Sequence, residues 1–309
     1  MFFRRRPEEI KAGGYFKYIF LTAQEKIYSV RQMCRSLSVS ESGFYKWLRN
    51  RNRPKPWQKL LELMHKILEQ AEDNVNYGVE RMQLALEQAG VKKSYSTVKR
   101  AMHKGNLLHE SRRSPDGLTK ADKKAMRPEN IIQQDFTADA PNRKWLTDIT
   151  QVQCKDAKLY ISPMFDCYGG EIIALVMDTN MKKELCMRTV EEAYRARNPG
   201  RGVIIHSDAG SQYTSDKYKK LLGSHRAIQS MSDVAKCYDN SRMESWFATL
   251  KKEKLYKINT AELTVEEVKQ IVWRYAFVYY NRQRVTTVNP GGWPPSIYRE
   301  KTTASKAVA

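Results

Sequence analysis

The stretch GVIIHSDAG, residues 202–210, contains a short apolar run that leads directly into a loop. A strand that is apolar on both faces is typical of the buried centre of an α/β sheet. Asp208 follows the end of this predicted strand, and α/β folds build their sites at such strand ends. The stretch therefore predicts both a central strand and a candidate site residue.

The segments on either side extend this strand into an α/β pattern. In chain order they predict strands over 145–154, 158–170 and 171–180, a helix over 182–198, the central strand, a helix over 216–222, a strand over 227–231, a helix around Glu244 and a long helix over 265–284. Asp148 is expected mid-strand in the first of these, and a Gly-Gly pair marks a hairpin after the second. The long helix is aromatic nearly all round, which favours core packing over stacking on bases. This layout is of ribonuclease H type.

Two small helical units precede this predicted core. Residues 1–60 hold 14 Lys or Arg against four acids, and residues 29–51 predict two short helices around a tight turn, the second capped by Ser40 and with Phe44, Tyr45 and Leu48 on its apolar face. The pattern is typical of a helix-turn-helix, but any small basic helical hairpin also fits it. Residues 60–105 predict three more short helices, for which contact with nucleic acid and a scaffold role both stay open.

Composition narrows the function classes. The 309-residue chain has a formal net charge of +20, which favours a polyanionic partner, nucleic acid first and an anionic membrane surface second. The apolar runs are too short to cross a bilayer, and the N-terminus lacks the apolar region of a signal peptide. We expect five parts: a basic helix-turn-helix-like segment (1–55), a second such domain (56–110), a linker (111–140), the catalytic core (141–300) and a tail (301–309).

Three acids are expected to converge in the core. Phosphoryl transfer on DNA commonly uses two divalent ions, and magnesium prefers carboxylate oxygens, so clustered acids are the least that such a site requires. Asp148 and Asp208 lie on or after neighbouring strands of the predicted sheet, and the Glu244 helix packs across them. Thirty-five residues separate Asp208 from Glu244. Other acids are interpreted structurally: Asp166 and Asp178 as turn residues, and Asp239 with Asn240 as caps of the Glu244 helix.

The sequence resembles the DDE transposases of the bacterial IS-three insertion-sequence family, specifically the product of that family's second open reading frame, which carries a retroviral-integrase-like core. The resemblance rests on four motifs in order and a Y-G pair at 77–78: M-C-R-x-L-x-V-S-x-S-x-x-Y-x-W (33–47), W-x-x-D-I-T (145–150), H-S-D-x-G-S-Q-Y (206–213) and C-Y-D-N-x-x-M-E-S-W/F-x-x-x-L-K-x-E (237–253). Two positions depart from the family pattern. Ala235 stands where glycine is usual, and Val285-Thr286 follow Arg284 where the family often has Arg-x-His.

The resemblance implies a function and its residues. Asp148, Asp208 and Glu244 would be the catalytic acids, holding two Mg²⁺ ions for which Mn²⁺ is expected to substitute. The activity would be cleavage at insertion-sequence ends followed by strand transfer into target DNA. Expected DNA contacts are Lys251, Lys252, His206, Tyr213, Arg49 and Arg51. We expect a cytoplasmic, nucleoid-associated bacterial protein that forms a homo-oligomer on DNA, and the sequence leaves open whether it acts alone or with the first-open-reading-frame protein.

Two other functions compete with this interpretation. A plain ribonuclease H-like nuclease would use water as its only nucleophile, and a strand-transfer assay separates it from a transposase. A repressor derived from a transposase would bind DNA without catalysis, and it predicts that at least one acid is lost. All three acids are present.

Overall fold

The computed structural model describes residues 28–108, 128–233 and 237–308. The chain divides into two compact units between Leu60 and Leu61. The N-terminal region is helical, with α1 (Val30–Ser36), α2 (Glu41–Asn50), α3 (Pro56–Glu69), α4 (Val79–Gln88) and α5 (Tyr95–Lys104). No helix in the described ranges is long and apolar enough to cross a membrane.

In the first unit, α1 and α2 pack through a small apolar cluster. Met33, Cys34, Leu37 and Phe44 are buried there. The predicted cap of α2 is confirmed, because the Ser40 side chain accepts a hydrogen bond from the backbone N–H of Gly43 at 3.0 Å. The prediction that Tyr45 belongs to the apolar face is wrong: its side chain is 48% exposed, since it lies one residue round the helix from Phe44.

The second unit contains one mixed sheet of six strands: β1 (Lys144–Thr147), β2 (Thr150–Gln153), β3 (Lys158–Asp166), β4 (Glu171–Asp178), β5 (Ile204–Ser207) and β6 (Ile228–Met231). Strands β1 and β2 pair antiparallel with successive parts of β3, and β4 pairs with β3 as well. Strand β5 lies parallel to both β1 and β6. The predicted first strand is therefore two short strands. Asp148 lies in the break between them, not mid-strand.

The remaining described elements follow the predicted order. They are α6 (Lys183–Arg197), α7 (Ser211–Thr214), α8 (Asp216–Ser224), α9 (Ser241–Glu253), α10 (Val265–Trp273), a π-helix (Arg274–Tyr280) and α11 (Pro295–Val308), with short 3₁₀ turns at Glu72–Asn76, Cys237–Asn240, Leu255–Lys257, Thr260–Glu262 and Pro290–Gly292. The predicted helix over 265–284 thus changes to π geometry at Arg274. The hairpin signal is confirmed by Gly169 and Gly170, whose φ values of +77° and +76° suit glycine.

Helices cover both faces of the sheet. One core cluster joins the sheet to α9 and α10, and includes Leu146, Ile161, Phe247 and Val268. The other joins the sheet to α6 and α8. The aromatic helix is mostly core, as predicted, because Tyr275 and Tyr279 are buried in the first cluster; Trp273 is the exception at 51% exposed.

The end of the predicted linker is part of this unit. Ile132 is 3% exposed and packs in the cluster under α9 and α10. The Ile131 N–H donates to the Ser230 hydroxyl at 3.0 Å, and the Met231 N–H donates to the Glu129 carbonyl at 3.4 Å. Residues 129–132 therefore contact β6 and the core, in contrast to the exposed linker expected over this part of 111–140.

Candidate active site

Parallel pairing places Asp148 and Asp208 side by side. Strands β1 and β5 pair with Leu146 opposite His206. Continuing this register by two residues puts Asp148 opposite Asp208, each as the first residue after its strand. Because parallel strands end at the same edge of a sheet, the two carboxylates meet there. The break between β1 and β2 frees Asp148 from the ladder.

The electrostatics of Asp148 confirm that it lies among other charges. Burial raises the pKa of Asp148 well above its usual range, and the charges of Asp208 and Glu244 raise it further. The Ile149 N–H, which donates to its Oδ1 at 2.7 Å, and the cation of Lys251 act in the opposite direction. Three carboxylates and one lysine therefore share one electrostatic neighbourhood.

Helix α9 supplies Glu244 and Lys251 from a single face. Met243, Phe247 and Leu250 are buried against the sheet, as the helical spacing predicts. Glu244 is exposed and Lys251 half-buried, on the side turned away from that stripe. Burial raises the pKa of Glu244 and lowers that of Lys251, which the Asp148 charge partly offsets.

The loop after β5 holds Asp208 in a fixed orientation. Its Oδ1 accepts a hydrogen bond from the Gly210 N–H at 3.1 Å. A Cβ at position 210 would lie 3.0 Å from that same oxygen, so any other residue would have to displace the Asp208 carboxylate slightly. The glycine of the H-S-D-x-G motif thus serves the acid two residues before it, a role that the sequence analysis did not identify.

The donor set suits a hard divalent cation. Repelling carboxylates at the end of a sheet are what a magnesium ion needs, and its charge would offset the repulsion that now raises the pKa of Asp148. In the described ranges, no three His, Cys, Asp or Glu side chains stand close enough to hold one ion as they are. Metal binding would therefore draw the acids closer together.

His206 and Tyr213 are structural, which corrects their expected contact with DNA. His206 is 0% exposed and Tyr213 1% exposed, so neither side chain reaches the surface. His206 Nδ1 bonds the Ser230 hydroxyl at 2.8 Å and its Nε2 the Ser232 hydroxyl at 3.1 Å, and burial lowers its pKa to about 4. A neutral imidazole thus ties β5 to β6 and the loop after it, directly beneath Asp208.

The remaining expected DNA contacts lie at the surface. Lys252 is exposed next to Lys251 on α9. Arg49 and Arg51 are exposed at the end of α2, within the first unit, and the Arg51 guanidinium lies 5.7 Å from the centroid of the Trp47 ring. All three side chains are therefore available to a polyanion.

The prediction that Asn240 caps α9 is confirmed in position only, and the contacts of Asn240 and Asp239 are more informative. Asn240 occupies the N-cap position without a side-chain capping bond, and its Nδ2 donates instead to the Thr147 carbonyl at 3.4 Å. That bond joins the start of α9 to the residue before Asp148. Asp239 is 1% exposed and accepts hydrogen bonds from the side chains of Asn130 and Gln134, each at 2.9 Å.

The structure also bears on the two acids expected in turns, Asp166 and Asp178, and on the positions that depart from the family pattern. Asp166 accepts from the Tyr168 N–H at 3.0 Å, and Asp178 from the Thr179 N–H at 2.7 Å, both consistent with turn roles. Thr286 is 8% exposed, and its hydroxyl accepts from the Val288 N–H at 3.3 Å. Ala235 lies outside the described residues.

Comparison with known proteins identifies the family. The integrase core domain matches residues 138–237. The IS600 uncharacterized 31 kDa protein of Shigella sonnei is 31% identical over 272 residues, covering 87% of this chain and 98% of that protein. Transposase InsF for insertion sequence IS3A of Escherichia coli K12 is 29% identical, covering 93% of this chain and 100% of InsF. The chain belongs to the IS3 family of insertion-sequence transposases.

The activity of the chain follows from its membership of the IS3 family. The chain is a DNA transposase, a polynucleotidyl transferase of DDE type that acts in DNA integration and recombination, and its integrase core depends on divalent metal. The putative transposase InsK for IS150 of Escherichia coli K12 is a further relative, 29% identical over 91% of this chain and 97% of InsK.

One solved structure has a similar core. It is the HTLV-2 integrase catalytic core domain in complex with magnesium, 17% identical and covering 52% of this chain and 99% of that chain, with a TM-score of 0.38.

Proposed function

We propose that Asp148, Asp208 and Glu244 are the catalytic acids of this transposase and bind two Mg²⁺ ions, with Mn²⁺ able to replace them. The observation that carries the assignment is the parallel register of β1 and β5, which brings Asp148 and Asp208 to one sheet edge. The ions would polarise the scissile phosphodiester and lower the pKa of the attacking hydroxyl. The protein's part is to orient the acids and to hold the DNA strand.

The orientation of the acids comes from three neighbouring contacts. The Gly210 N–H fixes Asp208, and the Asn240–Thr147 bond ties α9 to the strand that carries Asp148. The buried stripe of α9 then sets the position of Glu244 over the sheet edge. These contacts set the direction of each carboxylate in advance, so that metal binding has only to bring the acids closer together.

The proposed DNA contacts form two groups. Lys251 and Lys252 on α9 would hold the strand being cut at the acids. Arg49 and Arg51 at the end of α2, and separately the exposed basic face of α5, would also bind DNA. Phosphate contacts of this kind position the duplex without reading its sequence.

The reaction we propose has two steps at one site. Water first attacks a phosphodiester at the insertion end and releases a 3′ hydroxyl. That hydroxyl then attacks a phosphodiester of the target DNA, forming the new strand joint and releasing a second 3′ hydroxyl. A homo-oligomer on DNA would hold both ends, in the bacterial cytoplasm at the nucleoid. The first-open-reading-frame protein would be a further partner.

Isosteric variants of the acids test the assignment. Asp148→Asn, Asp208→Asn and Glu244→Gln each remove a charge while keeping the shape. We expect each to abolish cleavage and strand transfer in Mg²⁺ and to leave DNA binding near that of the wild type. Mg²⁺ should also raise the Tm of the wild type, by the equivalent of about 2.7 kcal/mol at ~100 Kd, and not that of the variants. Near-normal turnover in any variant would exclude that residue from the site.

A further inference from the structure

A buried carboxylate at the end of α9 joins three segments of the second unit. Glu253 is 6% exposed. It accepts two hydrogen bonds from Arg284, one from Arg81 and one from the Tyr275 hydroxyl, all at 2.9 Å. Arg81 lies in α4, Tyr275 in the π-helix and Arg284 just after it. Three positive or polar donors from distant parts of the chain thus meet on one acid.

Arg81 is the member that connects α4 to α9. One guanidinium nitrogen donates to Glu253, another donates to the Asn76 carbonyl at 2.9 Å, and the group lies 5.4 Å from the centroid of the Tyr77 ring. The Asn76 side chain in turn donates to the Glu253 carbonyl at 3.2 Å. A planar guanidinium with two fixed bonds holds both direction and distance, which an ammonium group cannot do.

Stability alone is a weak reason for such a cluster. Burying charges costs desolvation energy, and well-packed apolar side chains often serve stability as well or better. What buried, bidentate ion pairs supply is geometric specificity. Here the cluster fixes the position of α4 and α5 relative to α9. The last turn of α9 carries both Lys251 and Glu253.

The helices on both sides of the Glu253 cluster, α5 and α9, would contact DNA under the proposed function, on which this inference rests. On one side, α5 exposes Tyr95, Lys99, Arg100 and His103. On the other, α9 presents Glu244 and Lys251. We propose that the Arg81–Glu253–Arg284 cluster sets the distance between DNA held by α5 and the catalytic acids, and so selects the phosphodiester that is cut. Arg81 is then a positioning residue for cleavage.

A second cluster of the same construction provides the control. Glu171 is 4% exposed and binds Arg197 at 2.6 Å, Arg299 at 2.7 Å and the Ser296 hydroxyl at 2.7 Å. It joins β4, α6 and α11, without any residue of α4 or α5. The Arg299 side chain is 24% exposed and that of Arg81 19%. Replacing either arginine by methionine leaves its glutamate with one arginine and one hydroxyl.

The experiment maps cut positions in these matched variants. The full-length wild type, Arg81→Met, Arg299→Met and Arg81→Lys are given end-labelled duplexes that carry the DNA flanking the coding sequence, with Mg²⁺. We expect one cut per end from the wild type and from Arg299→Met. Arg81→Met should spread its cuts over neighbouring phosphodiesters, with cutting at the original one lower by roughly 10- to 100-fold, since about 1 Å of misplacement costs that much.

The outcomes separate positioning from folding. If Arg81→Met cuts only at the original phosphodiester, and loses Tm and activity in parallel with Arg299→Met, the inference is overturned. If Arg81→Met does not fold, Arg81→Lys decides, because lysine reaches Glu253 without also holding Asn76: a spread supports the inference and an unchanged cut position refutes it. A wild type that cuts neither end overturns the proposed function, and this inference with it.

Discussion

Lys251 has a neighbour that helical spacing alone could not reveal. Its cation lowers the pKa of Asp148, so it lies within electrostatic reach of the first acid as well as on the face of Glu244. Burial lowers the pKa of Lys251, because it removes part of the water that stabilises the ammonium group. A half-buried cation about 10 Å along the helix from Glu244 is well placed to hold the phosphate next to the one being cut.

Lys251→Ala should therefore weaken binding and joining of insertion ends. Loss of one phosphate contact lowers the slope of log affinity against log salt by about 1. The matched control is Lys252→Ala, which removes an exposed neighbour and should have a much smaller effect. Lys251→Arg should recover most of the loss, because a phosphate contact mainly needs the positive charge. Binding and strand-transfer assays measure all three, and equal effects at positions 251 and 252 would contradict the assignment.

For single residues, the sequence predicts which side chains are chemically important better than it predicts what those side chains contact. The acids are recognisable because their motifs are local in the chain. The Asn240 contact is not, because its partner Thr147 is 93 residues away. His206 and Tyr213 were expected at the DNA because they flank Asp208, yet exposure depends on how β5 packs between β1 and β6. Nothing in the motif itself encodes that burial.

At the scale of elements, the packing of α9 against its neighbours depends on its last residue, Glu253. Glu253→Gln would leave Arg81 and Arg284 buried without a counter-charge. We expect a loss of about 3–5 kcal/mol in the free energy of unfolding at neutral pH. Urea unfolding measures it, with Glu69→Gln on the exposed face of α3 as a control that should stay within about 0.5 kcal/mol of the wild type.

The same variant should show a defined pH dependence. Although burial raises the pKa of Glu253, Arg284 and Arg81 outweigh it and leave the pKa below the ordinary 4.5. A depressed folded-state pKa stabilises the protein above the unfolded value, and that stability is lost as the pH falls through the folded value. The gap between wild type and Glu253→Gln should therefore be full above pH 4.5 and narrow below it. A gap that is constant down to acid unfolding would contradict an ionised Glu253.

The periodicity of apolar residues predicts which segments are helices and which are strands. It does not predict two irregularities within them. The alternating run 145–154 predicts one strand, whereas the structure interrupts it at Asp148 so that the carboxylate can leave the ladder. The aromatic helix becomes a π-helix at Arg274, where the Asn281 N–H bonds the Ala276 carbonyl five residues back. The spacing of apolar residues cannot reveal the strand break or the π-helix, because both depend on tertiary surroundings, a site in one case and a crowded core in the other.

At the scale of the whole molecule, the expected separate domain over 56–110 is less separate than its composition suggests. Most of its residues share a compact unit with the core. The contacts responsible include polar ones between residues far apart in the chain, such as Arg81 with Glu253 and Gln88 with the Gly291 carbonyl at 2.8 Å. Polar residues scattered over 200 positions leave no periodic signal. The five-part division of the chain therefore stays a prediction, with the structural boundary near Leu60.

That boundary makes the first unit removable, which allows a test of how the chain holds DNA. Its 14 Lys and Arg against four acids supply much of the net charge of +20. Each phosphate that a protein neutralises contributes roughly −0.9 to the slope of log affinity against log salt. If this unit makes several such contacts, removing it should flatten the slope by the corresponding multiple and leave the acids of the second unit in place.

Deletion of residues 1–55 should therefore weaken non-specific DNA binding and flatten its salt dependence. Replacing Arg49 and Arg51 by glutamine should produce a smaller change in the same direction, at most about 1.8 in slope for two lost contacts. Fluorescence anisotropy with duplex DNA across a range of salt concentrations measures both, and thermal unfolding confirms that the second unit remains folded. A slope that is unchanged by the deletion would mean that the basic residues of the first unit form a solvated face and that the phosphate contacts lie in the rest of the chain.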